Sequence, residues 1–321
     1  MNKKLLEIHD ASLLTTPIKA DFLIISGSPE ERCIGALDKI KDGFKASNIF
    51  LLRYSHFNQK REENINEMKR IINGCSMGSI TEFTLDEASP IPVINEIVSI
   101  LIKTRHEKKN VCIVHDISTL IKWHILMFLR AYDISGLFDR IQFIYTEPKD
   151  YLIDLFRPLS FGLKELFPVP LFTGNYEFSK DCLLAIMLGY EGDRATALLD
   201  NIDPSECILF ITKPAYHPEW EGRTEEMNKE IINIVGEKNI FYIDSRNPLL
   251  VSNQINEVIA PNYSGYNCLL SPMGTKPQTI GLYLYWASHQ KNNSLIYSAP
   301  LRHNDLFYSE GIGKTWLLPL I

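Results

Sequence analysis

Residues 25–40 read ISGSPEERCIGALDKI and residues 187–202 read MLGYEGDRATALLDNI. The two stretches align without a gap, pairing Gly27 with Gly189, Glu31 with Asp193, Arg32 with Arg194, Leu37 with Leu199, Asp38 with Asp200 and Ile40 with Ile202, at an offset of 162. Later matches keep the same order. Ile94-Asn95-Glu96-Ile97 answers Ile255-Asn256-Glu257-Val258, and Phe143-Ile144-Tyr145-Thr146-Glu147-Pro148 answers Leu295-Ile296-Tyr297-Ser298-Ala299-Pro300. Asp154-Leu155-Phe156, Gly162 and Pro168 then answer Asp305-Leu306-Phe307, Gly313 and Pro319. An ordered series of matches indicates an internal duplication, which governs every later inference about the fold.

Each half alternates short apolar runs with stretches of helical period. DFLIISG (21–27), NIFLLRY (48–54), SITEFTL (79–85), NVCIVHD (110–116) and RIQFIYTEP (140–148) fill the first half. CLLAIMLG (182–189), ECILFITK (206–213), NIFYIDS (239–245), NCLLSPM (267–273) and SLIYSAP (294–300) repeat the scheme. Apolar strands separated by helices predict a parallel sheet covered on both faces. The expected architecture is α/β: two duplicated Rossmann-like units with mainly parallel sheets, packed as a pseudo-two-fold pair. The expected boundary lies near Thr173 to Lys180, giving units 1–173 and 174–321.

The length of 321 residues fits two domains with conventional cores. Thirty-three Lys and Arg against 39 Asp and Glu leave a net charge of −6, unlike the basic surface of a protein built for duplex nucleic acid. A local basic pocket for a small anion is compatible with that balance. Six dispersed cysteines, at 33, 75, 112, 182, 207 and 268, show no C-x-x-C, and the lone C-x-x-H, Cys112 to His115, has no second such pair to complete a site, so neither zinc nor a disulfide framework is expected. The basic start MNKK meets Glu7, His9 and Asp10 at once, and no run reaches the ~18 apolar residues of a membrane span. The chain is expected to be cytoplasmic, without metal, cofactor or membrane.

In a doubly wound sheet, ligands bind outside the carboxyl ends of the strands, where helix N-termini favour anions. The first such loops are Gly27-Ser28-Pro29 and Gly189-Tyr190-Glu191-Gly192, followed by Glu31-Arg32 and Asp193-Arg194 at the helix starts. Paired arginines suit two phosphates, or equally an ion pair with an acidic neighbour. The fourth loop of the second half, Ser271-Pro272-Met273-Gly274-Thr275-Lys276-Pro277-Gln278, combines a glycine, a hydroxyl and a lysine at a helix start, which suits phosphate. Its first-half equivalent, His115-Asp116-Ile117-Ser118-Thr119-Leu120-Ile121-Lys122, keeps hydroxyls and a lysine but adds Asp116 and lacks the glycine. Asp116 fits a general base, a metal ligand or a cap for the next helix. Tyr145 and Tyr297 fit base stacking or the core.

Gly311-Ile312-Gly313-Lys314-Thr315 looks like the tail of a Walker A loop, but Tyr308 stands where its first glycine belongs and six residues follow Thr315, too few for the phosphate-binding helix. No G-x-G-x-x-G or H-E-x-x-H occurs, and the G-x-S-x-G match, Gly74-Cys75-Ser76-Met77-Gly78, precedes the apolar run 79–85 rather than following one, so it is not a nucleophile elbow and NAD binding and standard hydrolase chemistry lack a motif in its proper setting.

The loop Met273-Gly274-Thr275-Lys276-Pro277, set after a core strand of a Rossmann-like unit, resembles the G-T-K loop of the CRISPR-associated Rossmann fold sensors, whose dimers hold cyclic oligoadenylate. A single chain with two such units resembles the related SAVED domains, which bind cyclic di- or trinucleotides in bacterial immunity. This resemblance implies ligand contacts from Gly274, Thr275 and Lys276, flanked by Gly27, Ser28, Gly189 and Tyr190. With Arg32, Arg194, Ser118, Lys122 and Gln278 these make the expected ligand set. The departure at Asp116 to Lys122 argues against symmetric binding.

The expected function is therefore that of a sensor for a nucleotide-derived anion, such as a cyclic oligonucleotide in antiphage defence. With the duplication filling the chain, it is expected to act through a separately encoded effector. Two other readings stand beside it. One is a ring nuclease or nucleotide hydrolase with Asp116 or Glu147 as base. The other is a structural subunit of a defence complex.

Overall fold

A computed structural model of the protein describes residues 5–8, 19–75, 77–108, 110–151, 159–303 and 309–320. The repeat matches at 154–156 and 305–307 lie outside the described residues. The chain divides into two compact units, Met1–Tyr151 with Ser309–Ile321, and Leu152–Tyr308.

The first unit contains β1 (Leu6–Ile8), β2 (Lys19–Ser26), β3 (Lys45–Tyr54), β4 (Ser79–Leu85), β5 (Ile113–Asp116), β6 (Ile141–Asp150) and β13 (Glu310–Leu318). Its helices are α1 (Gly35–Ile40), α2 (Gln59–Gly74), α3 (Ile91–Glu107) and α4 (Lys122–Ile134). The second unit contains β7 (Ser160–Pro168), β8 (Cys182–Met187), β9 (Glu206–Thr212), β10 (Ile240–Ile243), β11 (Asn267–Pro272) and β12 (Asn293–His303). Its helices are α5 (Gly192–Ile202), α6 (Arg223–Met227), α7 (Lys229–Val235), α8 (Pro248–Tyr263) and α9 (Lys276–Ser288).

The sheets run β1-β13-β6-β5-β2-β3-β4 and β10-β9-β8-β11-β12-β7. Written from the start of each repeat, both contain the order 3-2-1-4-5 of a Rossmann unit, with all five strands parallel. All ten apolar runs of the sequence are these ten parallel strands. Burial explains why: Leu23, Ile24 and Ile25 are successive and all fully buried, as parallel strands covered on both faces require. Separate apolar cores lie around Leu37, Ile49, Leu51 and Met68 in the first unit, and around Leu184, Leu198, Leu209 and Ile231 in the second.

The division differs from the expected single cut at 173/174. The sixth strand of each repeat joins the sheet of the other unit: β7 runs antiparallel to β12, from Ser160 opposite His303 to Pro168 opposite Ile296, and β13 runs antiparallel to β6. Residues 160–173 thus belong to the second unit and 309–320 to the first. Phe172 anchors the former, fully buried with its ring 4.5 Å from that of Trp286 in α9. The Walker-like segment 311–315 lies inside β13, where Gly311 (φ 66°) is in the left-handed region and Thr315 pairs with Thr146 of β6; it is a strand and not a phosphate loop.

In each sheet the first and fourth strands of the repeat are neighbours whose connections leave in opposite directions. The crevices to inspect are therefore those at the carboxyl ends of β2 and β5, and of β8 and β11.

Candidate functional site

In the first unit the β2/β5 crevice is closed by its own side chains. Ser26 and Thr119 share a hydroxyl–hydroxyl bond of 2.8 Å, and Thr119 Oγ1 also donates to the Ser26 carbonyl. Asp116, 2% exposed, accepts from both the backbone N–H and the hydroxyl of Ser118, whose Oγ in turn accepts from Thr146 N at 2.7 Å. Glu147 is fully buried and accepts from the Trp316 indole at 2.7 Å. Both carboxylates offered as catalytic bases therefore hold strands and turns together.

Arg32 is 1% exposed. It donates to both oxygens of Glu30, at 2.8 and 3.2 Å, and through Nη1 to the Tyr145 hydroxyl and the Thr146 carbonyl. Burial by itself lowers the pKa of this guanidinium, but Glu30 and the two tyrosines Tyr145 and Tyr151 carry it above its ordinary value, so it stays charged. Its acidic partner is Glu30, while Glu31 turns to Lys60. Tyr145, 1% exposed, is core. A Cβ on Gly27 would stand 2.4 Å from Ile65, so that glycine serves the packing of α2 against the loop. Ser28 is buried and accepts from Glu30 N, and Lys122 is half-buried at the start of α4.

The β8/β11 crevice of the second unit is organised differently. A Cβ on Gly189 would lie 2.4 Å from the Met273 carbonyl and 2.4 Å from Glu191 Oε2, so the glycine lets the β8–α5 and β11–α9 loops meet. Gly274 does the same beside Gln278. Thr275 caps α9 in a capping box: its Oγ1 accepts from Gln278 N, and Gln278 Oε1 accepts from Thr275 N. The box also clamps neighbouring strand ends, because Thr275 Oγ1 donates to the Ser245 carbonyl and Gln278 Nε2 donates to Thr212 Oγ1 and to the Asp244 carbonyl. Thr275 and Gln278 therefore shape the site; their polar atoms are committed to the fold.

Lys276, in the first turn of α9, is 9% exposed, and Arg194, in the first turn of α5, is 4% exposed. Arg194 faces Glu191 at 3.4 Å, a looser pair than Arg32 with Glu30. Its Nε has no hydrogen-bond partner among the described residues, and neither has Glu191 Oε2 nor Asn228 Oδ1. Asn228 Nδ2 donates to the Gly189 carbonyl at 2.7 Å and to the Thr224 carbonyl at 2.8 Å, which fixes its amide with the oxygen left over. Tyr190 is half-buried in the same loop. Tyr297, 8% exposed, packs its ring against Phe167 across the antiparallel pair β7–β12.

Of the expected ligand set, the second unit thus brings together Gly189, Arg194, Gly274 and Lys276 around one crevice, with Tyr190 beside it. Gly27, Ser28, Arg32, Ser118 and Lys122 lie in the first unit, most of them in its internal network. Sequence reasoning missed the roles of Glu191 and Asn228. For Glu191 a signal exists: the repeat alignment sets it against Pro29 and sets Glu30 against Gly192, so the acid has moved by one position between repeats. Asn228 arrives from the junction of α6 and α7, which no local pattern marks. Among the described residues no group of three or more His, Cys, Asp or Glu is placed to hold a metal ion, and no helix is long and apolar enough to cross a membrane.

The sequence matches no protein-family model and no curated protein. Solved structures similar to it include the cytoplasmic domain of a prokaryotic cation chloride cotransporter, at 9% identity and a TM-score of 0.28, covering 88% of this chain and 96% of that one. An N-terminal ketoreductase from the macrolactin assembly line has 11% identity and a TM-score of 0.28, with 90% and 72% covered. Anabaena Alr3699/HepE in complex with UDP and glucose has 12% identity and a TM-score of 0.20, with 79% and 73% covered. Likenesses this distant carry no inference about the site, whose chemistry rests on the side chains described above.

Proposed function

We propose that this chain is a binding protein for a nucleotide-derived anion, held in the β8/β11 crevice of the second unit. One observation carries the reading: two cationic side chains, Arg194 and Lys276, are buried in the first turns of the two helices that leave the switch point. An anion at the N-terminus of α9, beside Lys276, is attracted by the lysine and by the helix dipole, while Glu191 already stands 3.4 Å from Arg194. A cyclic oligonucleotide that signals to a separately encoded effector in antiphage defence is the specific form of this proposal, supported by the resemblance of the Gly274-Thr275-Lys276 loop. The internal bonding of Asp116 and Glu147 favours binding over hydrolysis.

Calorimetric titration of the full chain with cyclic di-, tri- and tetranucleotides tests it. The expected result is saturable heat with at least one ligand, recovered intact by chromatography, and an affinity lowered about tenfold or more in Lys276→Ala. Absence of heat and of any melting shift across the panel, with Lys276→Ala indistinguishable from the parent, overturns the proposal.

A further inference from the structure

Of the strands that end the two sheets, β1 carries Glu7, β4 carries Glu82, and β7 carries Lys164 and Glu165. Charges on an edge strand keep it from pairing with another chain. The fourth edge, β10, reads Ile240-Phe241-Tyr242-Ile243 and has none. Tyr242 is 50% exposed, and the helices before and after the strand add Ile234, 58% exposed, and Leu250, 43% exposed. Ile240 packs in one core with Ile231 and Val235 of α7, so the strand is firmly seated, yet among the described residues no strand pairs with its outer side. The Ile243 carbonyl accepts from Lys213 N at 2.8 Å, on the side of β9. Peptide groups alternate in direction along a strand, so Phe241 and Ile243 face β9 while Ile240 and Tyr242 turn their N–H and C=O outward. The next outward N–H, that of Asp244, donates to Gln254 Oε1 at 2.9 Å and closes the open stretch.

We infer that this edge pairs with the same edge of a second copy of the chain, β10 running antiparallel to β10 about a two-fold axis. The outward peptide groups restrict the register, because residues that exchange two hydrogen bonds must both face the partner. With Phe241 on the axis, Ile240 stands opposite Tyr242 of the second copy, a β-branched side chain against an aromatic one. Two positions further along the same face, exposed Lys238 comes opposite Asp244 of the second copy, and the charges match. Asp244 Oδ1 already accepts from Arg246 N and Asn247 N, which holds that carboxylate in place. A register shifted by two sets Lys238 against Arg246, like against like, and Ile240 against Asp244. Shifted the other way, it sets Tyr242 against Lys238 and leaves Asp244 opposite Gly236. The edge is thus complementary to itself in one register, which is what an isologous contact requires. A strand of four residues makes the contact small, so the dimer is weak and reversible. This pairing needs no ligand and stands apart from the crevice at Lys276.

Sedimentation velocity of the full chain, loaded from about 1 to 100 μM, tests it. The expected result is a reversible rise from the mass of one chain toward that of two and no further, since the pairing uses up the edge of both copies. Lys238→Glu, a change on an exposed turn, is expected to weaken the dimer about tenfold by setting two acids face to face. Tyr242→Pro removes an outward N–H that β9 does not use and is expected to abolish the dimer, with the circular dichroism of the parent retained. Phe241→Cys places two sulfurs on the axis, where Cα atoms of a non-hydrogen-bonded pair lie about 4.5 Å apart, so oxidation is expected to link the two copies. The parent, whose six cysteines lie elsewhere, stays unlinked. A monomer at every concentration overturns the second copy as the occupant, even if that monomer binds an extended strand from another protein. A dimer of unchanged affinity in both Lys238→Glu and Tyr242→Pro overturns β10 as the interface. A dimer that persists in Phe241→Cys without forming the disulfide overturns the register.

Discussion

Two residues that the repeat alignment equates have different fates, and the difference is set by where their acidic partners stand. Arg32 meets Glu30 side-on with two hydrogen bonds and adds Tyr145 and Thr146, while Arg194 meets Glu191 at 3.4 Å and keeps Nε open. Removing one partner of a buried pair strands the other charge, so Arg32→Met is expected to cost about 3–5 kcal/mol. Urea denaturation followed by tryptophan fluorescence measures that loss, while ligand titration at the second unit should be unaltered in the variant. An Arg32→Met protein as stable as the parent contradicts the buried pair. Thr275→Ala removes the hydroxyl of the capping box together with its bond to the Ser245 carbonyl, and about 1–2 kcal/mol is the expected loss. The arginine pair was legible in the sequence, but the saturation of one member and the openness of the other were not. They depend on Tyr145, Thr146 and Asn228, which lie over 30 residues away in the chain.

At the level of elements, the ten apolar runs became the ten parallel strands because each is buried on both faces and so carries its own signature. The strands the sequence did not announce are β1, β7 and β13. They sit at or next to a sheet edge, where one face meets solvent and the apolar pattern thins: β13 alternates exposed Glu310 and Gly-rich positions with buried Thr315 and Leu318, and β7 ends on Pro168. A strand next to the edge still protects the one inside it. Deleting Glu310–Ile321 leaves the β6 edge without its antiparallel neighbour, and an open edge of β6 pairs with other chains. Light scattering after size-exclusion chromatography is expected to show oligomers or aggregate for the deletion; a monomer with the parent circular dichroism would contradict this role for β13.

For the molecule as a whole, two fully buried histidines set the response to acid. Burial holds His115 down to about 3 and His124 down to about 4, against 6.5 for a free side chain. Both pKa values are lower folded than unfolded, so between about pH 6.5 and 4 the unfolded chain binds more protons. Stability is full above that window and falls as the pH drops through it. The expected observation is a melting temperature that declines steadily from pH 7 to pH 4. His115 accepts or donates at Tyr132 through Nδ1, 3.0 Å from the hydroxyl. The double variant His115→Phe/Tyr132→Phe removes the ionisable ring without orphaning the phenol, and it should flatten the decline. A slope identical to the parent would place the acid sensitivity elsewhere.

By itself the sequence determined that the chain is two copies of one α/β unit and that the loops after the first and fourth strands of each copy are the places to look. Those facts follow from local pattern, since apolar runs mark buried strands and glycine marks close approach. Only the tertiary structure decided that the last strand of each copy lies in the sheet of the other, and that one crevice is closed while the other keeps buried polar atoms open. Both outcomes rest on pairings between residues far apart in the chain, where hydrogen-bond register and the reach of individual side chains choose among partners that the local sequence leaves equivalent.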